Sequence, residues 1–396
     1  VLVLLATLLL TAVIALQLPA VQTYVAQKVV NGLQDKFDGR VEFSNIAIQP
    51  FNTLIISDLA LMDDNPWTEG AAAPADTLFS ARDITARFTM AGLVSKNGIK
   101  IKKASVSDAS LFLTVEPGDK YQNNISRVFR LTKKDKEKST KDIFSIKRGK
   151  IDGFRFRMVN YKPSDKQYSG YGFNWNDLDL TADVTAHNLK FSNSIMSGTA
   201  DKISLREKGG YCAENLSGSA RVGRGRTEIK DLHLKDRWSD AYVPEFTLEY
   251  DGNDSFKNFI HDVSIHSVVG KGTLAFKTLS YFPEALKDNA IVADISSARV
   301  DGTVDNLSIR DLTFTDQCSG VSGSASATIS GLPDIGSMSL RSEVKDFNFT
   351  TEGLGTFLSQ WMKGKSMDIG SLAPGEVLTF NGTADGTLSG LKVNGD

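Results

Sequence analysis

FRFRM, residues Phe154–Met158, places Phe154, Phe156 and Met158 on one side of an extended chain and Arg155 and Arg157 on the other. Successive side chains of a strand point to opposite faces, so this is the signature of a strand with one apolar and one wetted face. The same period recurs outward in both directions. Ile84, Ala86 and Phe88 alternate with Thr85 and Arg87, and Leu178, Leu180, Ala182 and Val184 with Asp177, Asp179, Thr181 and Asp183. Phe246, Leu248 and Tyr250 alternate with Thr247 and Glu249, Leu274 and Phe276 flank Ala275, and Phe347 and Phe349 flank Asn348. From Val41 to the end the chain therefore reads as mainly β, a long antiparallel sheet.

Clusters of Gly, Asn and Asp punctuate these runs: GK at Gly149, EYDGND from Glu249 and NGTADG from Asn381 read as the turns of hairpins and meanders. Helical patterns are few after Phe37, with one expected near Tyr281–Leu286 and another over Leu354–Met362. Strands and helices do not alternate regularly, which argues against a parallel α/β sheet. PWTEGAAAPAD (Pro66–Asp76) and the charged run KKDKEKSTK (Lys133–Lys141) read as loops.

The amino-terminal end differs in kind. Val1–Leu18 carries no charge, which is about the minimum of roughly 18 residues for a membrane-spanning helix. A cleaved export signal would have a shorter apolar region and a small-residue cleavage site, and Ala12 and Ala15 are wrongly spaced for one. The expectation is a retained transmembrane anchor over residues 1–18. Val21, Val25, Val29 and Leu33 then recur on one side of an amphipathic helix over residues 19–37, with Pro19 suited to its first turn. Such a helix packs on the following sheet or lies in the membrane interface.

The chain has 396 residues, 41% hydrophobic and 23% charged, with a net charge of −2, an ordinary balance that does not point to nucleic acid. Cys212 and Cys318 are too far apart in sequence for a metal-binding spacing; they read as a disulfide in an oxidising compartment or as two separate buried thiols. His187, His233, His261 and His266 fall in no metal-binding frame, and there is no nucleophile elbow, P-loop or dinucleotide fingerprint. The acids Asp177, Asp179 and Asp183 share a strand face and read as its solvent side rather than as a calcium site. No catalytic residue, cofactor or metal is assigned, and the chain is not read as an enzyme.

The succession of apolar segment, amphipathic helix and FDGRVEFSNIAIQPFNTLIISDLALMDDNP (Phe37–Pro66) resembles the amino-terminal part of the TamB family, inner-membrane subunits of translocation and assembly modules within the AsmA-like group of bridge-like lipid transfer proteins. IKRGKIDGFRFRMVNY (Ile146–Tyr161) is similar to that group's recurring strand with an I-x-x-G core and a terminal aromatic. ISLREKGGYCAENLSGSARVGRGRTEIKDLHLK (Ile203–Lys235) is similar to its paired strands around an EKSGF-type turn.

The resemblance implies a single-pass protein of the bacterial inner membrane, with most of the chain in the periplasm. Residues 38–396 would form an AsmA/TamB-like β-groove, a sheet curled into an open hydrophobic trough (β-taco) and truncated at its carboxy-terminal end. It would conduct phospholipid toward the outer membrane and support outer-membrane biogenesis, protein secretion and assembly. The implied partners are phospholipid acyl chains, the inner membrane and an outer-membrane barrel of the Omp85 type, the last through a region outside this chain. On this reading Phe88, Phe154, Phe156, Met158, Leu178, Leu180, Phe246, Leu248, Leu274, Phe276, Phe347 and Phe349 line the groove. The alternation alone fits two arrangements. One is the trough; the other is a closed sandwich or barrel with an ordinary core, a scaffold or chaperone for outer-membrane protein insertion without a lipid path.

Overall fold

The computed structural model describes residues 38–49, 52–64, 77–88, 99–117, 123–129, 144–162, 168–192, 195–282, 286–334, 336–361, 375–387 and 390–396. The expected anchor, the amphipathic helix and the loops at 66–76 and 133–141 lie outside these residues. The described chain is mainly β and divides into two compact units, Val1–Gly210 and Tyr211–Asp396. The sequence pattern gave no sign of that boundary, because the turn there read as one joining two paired strands.

Unit 1 holds β1 (Arg40–Glu42), β2 (Asn45–Gln49), β3 (Thr53–Met62), β4 (Thr77–Phe88), β5 (Ile99–Val115), α1 (Asn124–Val128), β6 (Phe144–Asn160), β7 (Asp177–Ser192) and β8 (Ile195–Glu207). β1 and β2 both pair with β3, and the meander then runs β3, β4, β5 and β6, β7, β8. All these pairs are antiparallel, but β5 and β6 are parallel, against the expectation of hairpins throughout. A parallel pair needs a crossover of a dozen residues or more, and residues 116–143, with α1 among them, supply it.

Unit 2 holds β9 (Cys212–Val222), β10 (Arg226–Asp236), β11 (Asp240–Tyr250), a 3-10 turn (Asn253–Asn258), α2 (Phe259–Asp262), β12 (Val263–Val269), β13 (Gly272–Ala275) and α3 (Phe276–Leu279). It continues with β14 (Val292–Thr303), β15 (Asn306–Asp316), β16 (Ser322–Ser330), β17 (Ser339–Phe349), α4 (Thr351–Ser359), β18 (Leu378–Thr387) and β19 (Lys392–Gly395). Its strands form an antiparallel meander in which β12 and β13 share the place between β11 and β14.

Long strands are broken in phase near their middles. Asp58, Asp108, Asn188, Asp231, Asp311 and Asp346 sit inside strands with φ between 46° and 54°, and Gly153 at 70°. Asp and Asn tolerate the left-handed region better than other residues with a side chain. One such residue resets the alternation and bends the strand, as a bulge does. The apolar positions shift with it, from Leu54 and Ile56 to Leu59 and Leu61 in β3, and from Ile229 to Leu232 and Leu234 in β10. In β4 the phase changes at Arg82–Asp83, opposite Asp58 and Asp108. Gly153 lies beside Asp108, whose Oδ1 would stand 2.7 Å from a Cβ there.

Several local expectations are corrected. Gly149 lies inside β6, and NGTADG from Asn381 lies inside β18 rather than in a turn. The described helix nearest the one expected at Tyr281–Leu286 is α3, which runs from Phe276 to Leu279 and ends before it, while residues 283–285 lie outside the described residues; α4 begins at Thr351, where Thr350 caps it by accepting from the Gly353 N–H at 3.0 Å. Cys212 and Cys318 are free thiols, the first half-buried and the second exposed, so they are not two buried thiols.

Candidate functional site

Residues directly opposite one another across a ladder share a face, so the registers define rows of side chains running across the strands. In unit 1 one row reads Ile46, Ile56, Ile84, Val106, Ile151, Val184 and Ile203 from β2 to β8. Every member is β-branched and apolar. Ile46 is buried at 8% exposure, and the other six are half-buried. A second row reads Val41, Leu61, Phe79, Leu111, Phe156 and Leu180, and a third pairs Leu113, Met158 and Leu178.

Of the expected lining residues of unit 1, Phe156, Met158, Leu178 and Leu180 fall into these rows and Phe88 and Phe154 lie outside them. Phe156 lies between Leu111 and Leu180, Met158 between Leu113 and Leu178, Phe154 opposite Ala182, and Phe88 opposite Ile101. Leu178 is buried at 7%, and Phe88, Phe154, Phe156, Met158 and Leu180 are half-buried. In unit 2 Phe246 faces Ile229, Leu248 faces Ile265, Leu274 faces Ala293, Phe347 faces Phe380 and Phe349 faces Leu378. Phe276 is a correction: it opens α3 instead of continuing β13, and its ring meets Trp361 edge-on at 5.5 Å. The alternation around Ala275 misled because it spans only the last two residues of a short strand and the first of a helix.

The rows that sequence reading missed, above all Ile56, Val106, Ile151 and Ile203, were hidden by the phase breaks. The signal was present as a recurring apolar-x-Asp-apolar-x-apolar string: IISDLAL (Ile55–Leu61), IKDLHL (Ile229–Leu234), IRDLTF (Ile309–Phe314) and VKDFNF (Val344–Phe349).

Short helices bury the apolar surface at particular places. In unit 1, Val128 of α1 (1% exposed) packs with Leu78 (2%) and Val41 (8%), and Phe43, Leu59, Leu61, Leu111 and Ile125 surround them. Arg127 of the same helix binds Asp63 and Glu116, both nearly buried. Burial opposes its charge, but the hydrogen bonds it donates to the two carboxylates outweigh that cost and raise its pKa. In unit 2, Phe357 of α4 packs on Phe314 at 6.1 Å and Phe347 at 6.5 Å. The absence of a Cβ at Gly353 lets this helix approach the Ser319 carbonyl, which would stand 2.4 Å from one. Elsewhere in the unit Tyr211, Tyr281 and Trp238 stack, and burial pushes the Tyr211 phenol up to about 12.

The opposite side of each sheet is charged and cross-linked. Arg155 forks onto Asp179 with contacts of 3.0 and 2.6 Å and holds its carboxyl below the usual range. Arg82 meets Asp108 at 2.6 Å, and Lys208 meets Asp177. In unit 2, His266 and Arg310 donate to Asp301, and His233 and Lys235 hold Asp240. Among the described residues no group of three or more His, Cys, Asp or Glu is placed to hold a metal, and no helix is long and apolar enough to cross a membrane.

Comparison with protein-family models, with curated proteins and with solved structures gives no match to this chain.

Proposed function

We propose that the chain is the amino-terminal part of a TamB-like bridge protein, anchored in the bacterial inner membrane and extending into the periplasm. The apolar rows of its sheets carry phospholipid acyl chains toward the outer membrane, where an Omp85-type barrel is the partner. The single observation that supports this reading is the unit 1 row from Ile56 to Ile203, in which six branched aliphatics stay only partly buried in a folded sheet. Folded proteins seldom leave a contiguous apolar stripe of this length to water, and such a stripe marks a binding surface. A mobile acyl chain suits a surface without polar anchors, because apolar burial is not directional.

The test places a photo-crosslinking amino acid at Ile151, and in a second variant at Arg206 on the charged face, in cells making the full chain. Phospholipid recovered from Ile151 and not from Arg206 is the expected result. Equal labelling at both sites, or none at Ile151, overturns the reading. Polypeptide recovered at Ile151 in place of lipid favours the scaffold or chaperone alternative.

A further inference from the structure

The charged face of unit 1 is not uniform. On one side of the phase break its cations are matched by acids across the strands: Arg82 by Asp108, Arg155 by Asp179, Lys208 by Asp177. On the other side a cross-strand row sets three cations in succession and ends at a histidine. Arg87 of β4 lies directly opposite Lys103 of β5, the parallel register that pairs Ala104 with Gly149 sets Lys103 beside Arg148 of β6, and Arg148 lies opposite His187 of β7. Asp201 accepts from or donates to none of the first three; it pairs with His187 at 2.7 Å, while Lys150 in the adjoining row meets Asp152 at 2.8 Å. Arg87, Lys103 and Arg148 are exposed and have no ionic partner among the described residues.

Like charges directly opposite on a sheet are destabilising. Here three stand in succession on neighbouring strands, and two of them, Lys103 and Arg148, border a depression of about 660 Å³. Its floor lies at the small row Ala104, Gly149 and Ala186, and its walls include Lys103, Arg148, Lys150 and His187, with one carboxylate, Asp201, paired to His187. The volume lies in the range of small-ligand sites. Lysine and arginine donors converging on one hollow suit the tetrahedral oxygens of a phosphate.

We propose that this depression is a binding site for phosphate esters, with Lys103 and Arg148 as the principal donors. It lies on the charged face and does not depend on the lipid path proposed above. The phosphate belongs either to a phospholipid headgroup or to a soluble organic phosphate, and both present the same group to the row.

The test uses the full chain in neutral detergent. Calorimetry measures binding of glycerol 3-phosphate and of a short-chain, monomeric phosphatidylglycerol to the wild type, to Lys103→Ala/Arg148→Ala and to the control Arg206→Ala. The double variant is expected to bind at least about tenfold more weakly, as loss of two charge-assisted hydrogen bonds requires. The control should bind as the wild type does. Because the substitutions relieve like-charge repulsion, the double variant should also unfold at an equal or higher temperature, which separates a lost site from a lost fold. Binding of the lipid alone assigns the site to headgroups, and equal binding of both assigns it to phosphate esters in general. Absence of binding by either ligand, undiminished binding by the double variant, or an equal loss in the control overturns the proposal.

Discussion

The two units limit their apolar surface in different ways. Unit 1 sets seven branched aliphatics in line from Ile46 to Ile203. A row across unit 2 reads Ile229, Phe246, Ser267, Val300, Ile309, Ala327 and Ser342, so hydroxyls and a methyl interrupt it. Unit 2 also brings the ring of Phe357 down onto Phe314 and Phe347, whereas in unit 1 α1 reaches the cluster of Val41 and Leu78 and leaves Ile84 and Ile151 half-buried. A sheet can thus dilute a greasy face, cover it, or leave part of it as a surface.

The largest effect is expected where unit 1 does cover itself. Arg127→Met should take the guanidinium from Asp63 and leave Glu116 as a buried charge without its counter-ion, at a cost of about 3–5 kcal/mol. A urea titration of the variant, read by tryptophan fluorescence and circular dichroism, should show that loss. An unchanged midpoint would mean that α1 is not an integral part of the sheet.

Unit 2 should respond next, through the carboxylate of Asp316, which is 1% exposed and accepts from the backbone N–H of Val292 at 3.1 Å and Ser319 at 3.0 Å and from the Ser319 hydroxyl. Asp316→Ala strands these donors and should cost about 1–3 kcal/mol. Hydrogen exchange at Val292 and Ser319 should accelerate, with amides of β9 unaffected if the loss stays local.

The comparison itself can be broken by exchanging the two chemistries. Ile151→Ser in unit 1 removes a half-buried side chain and should cost under about 2 kcal/mol, below the range for a fully buried aliphatic. Binding of an apolar fluorescent dye should fall. Ser267→Ile in unit 2 should raise dye binding, since Ser267 lies between Phe246 and Val300. Dye binding indifferent to both changes would show that neither row is accessible.

The strands were legible in the sequence because their two faces differ so strongly: Phe156 and Arg157 need no tertiary context to be sorted. The rows were not, since a row is made of residues from strands distant in sequence and its register depends on where each strand changes phase. Asp58, Asp108 and Asp346 look like ordinary solvent-facing acids when strict alternation is assumed, yet they are the residues that reset it. The parallel pairing of β5 with β6 was equally hidden, because β5 and β6 have the same pattern whichever way they run. Phe276 failed for the opposite reason: three residues happened to alternate across a strand end. The cation row from Arg87 to Arg148 was invisible as well, because its members come from three strands.

The smallest expected effect concerns the charged face. Asp179 is held below the usual carboxylate range by the hydrogen bonds from Arg155, against the opposing cost of its partial burial. A carboxylate with a lowered folded-state pKa contributes stability that is fully present above its unfolded pKa and is lost as the pH falls through the folded value. Asp301 in unit 2, lowered by hydrogen bonds from His266 and Arg310, contributes with the same sign, so acid titration of the wild type cannot separate the units. Arg155→Gln can. At neutral pH it should lower stability by about 0.2–1 kcal/mol, the scale of an exposed ion pair. The difference from wild type should shrink as the solution is acidified through the carboxylate range and vanish once Asp179 is protonated in both proteins. High salt at neutral pH should shrink it too, because exposed pairs are screened. A deficit that stays constant from neutral to acid pH would assign the role of Arg155 to packing along β6 and β7 and remove the ion pair from the account of this face.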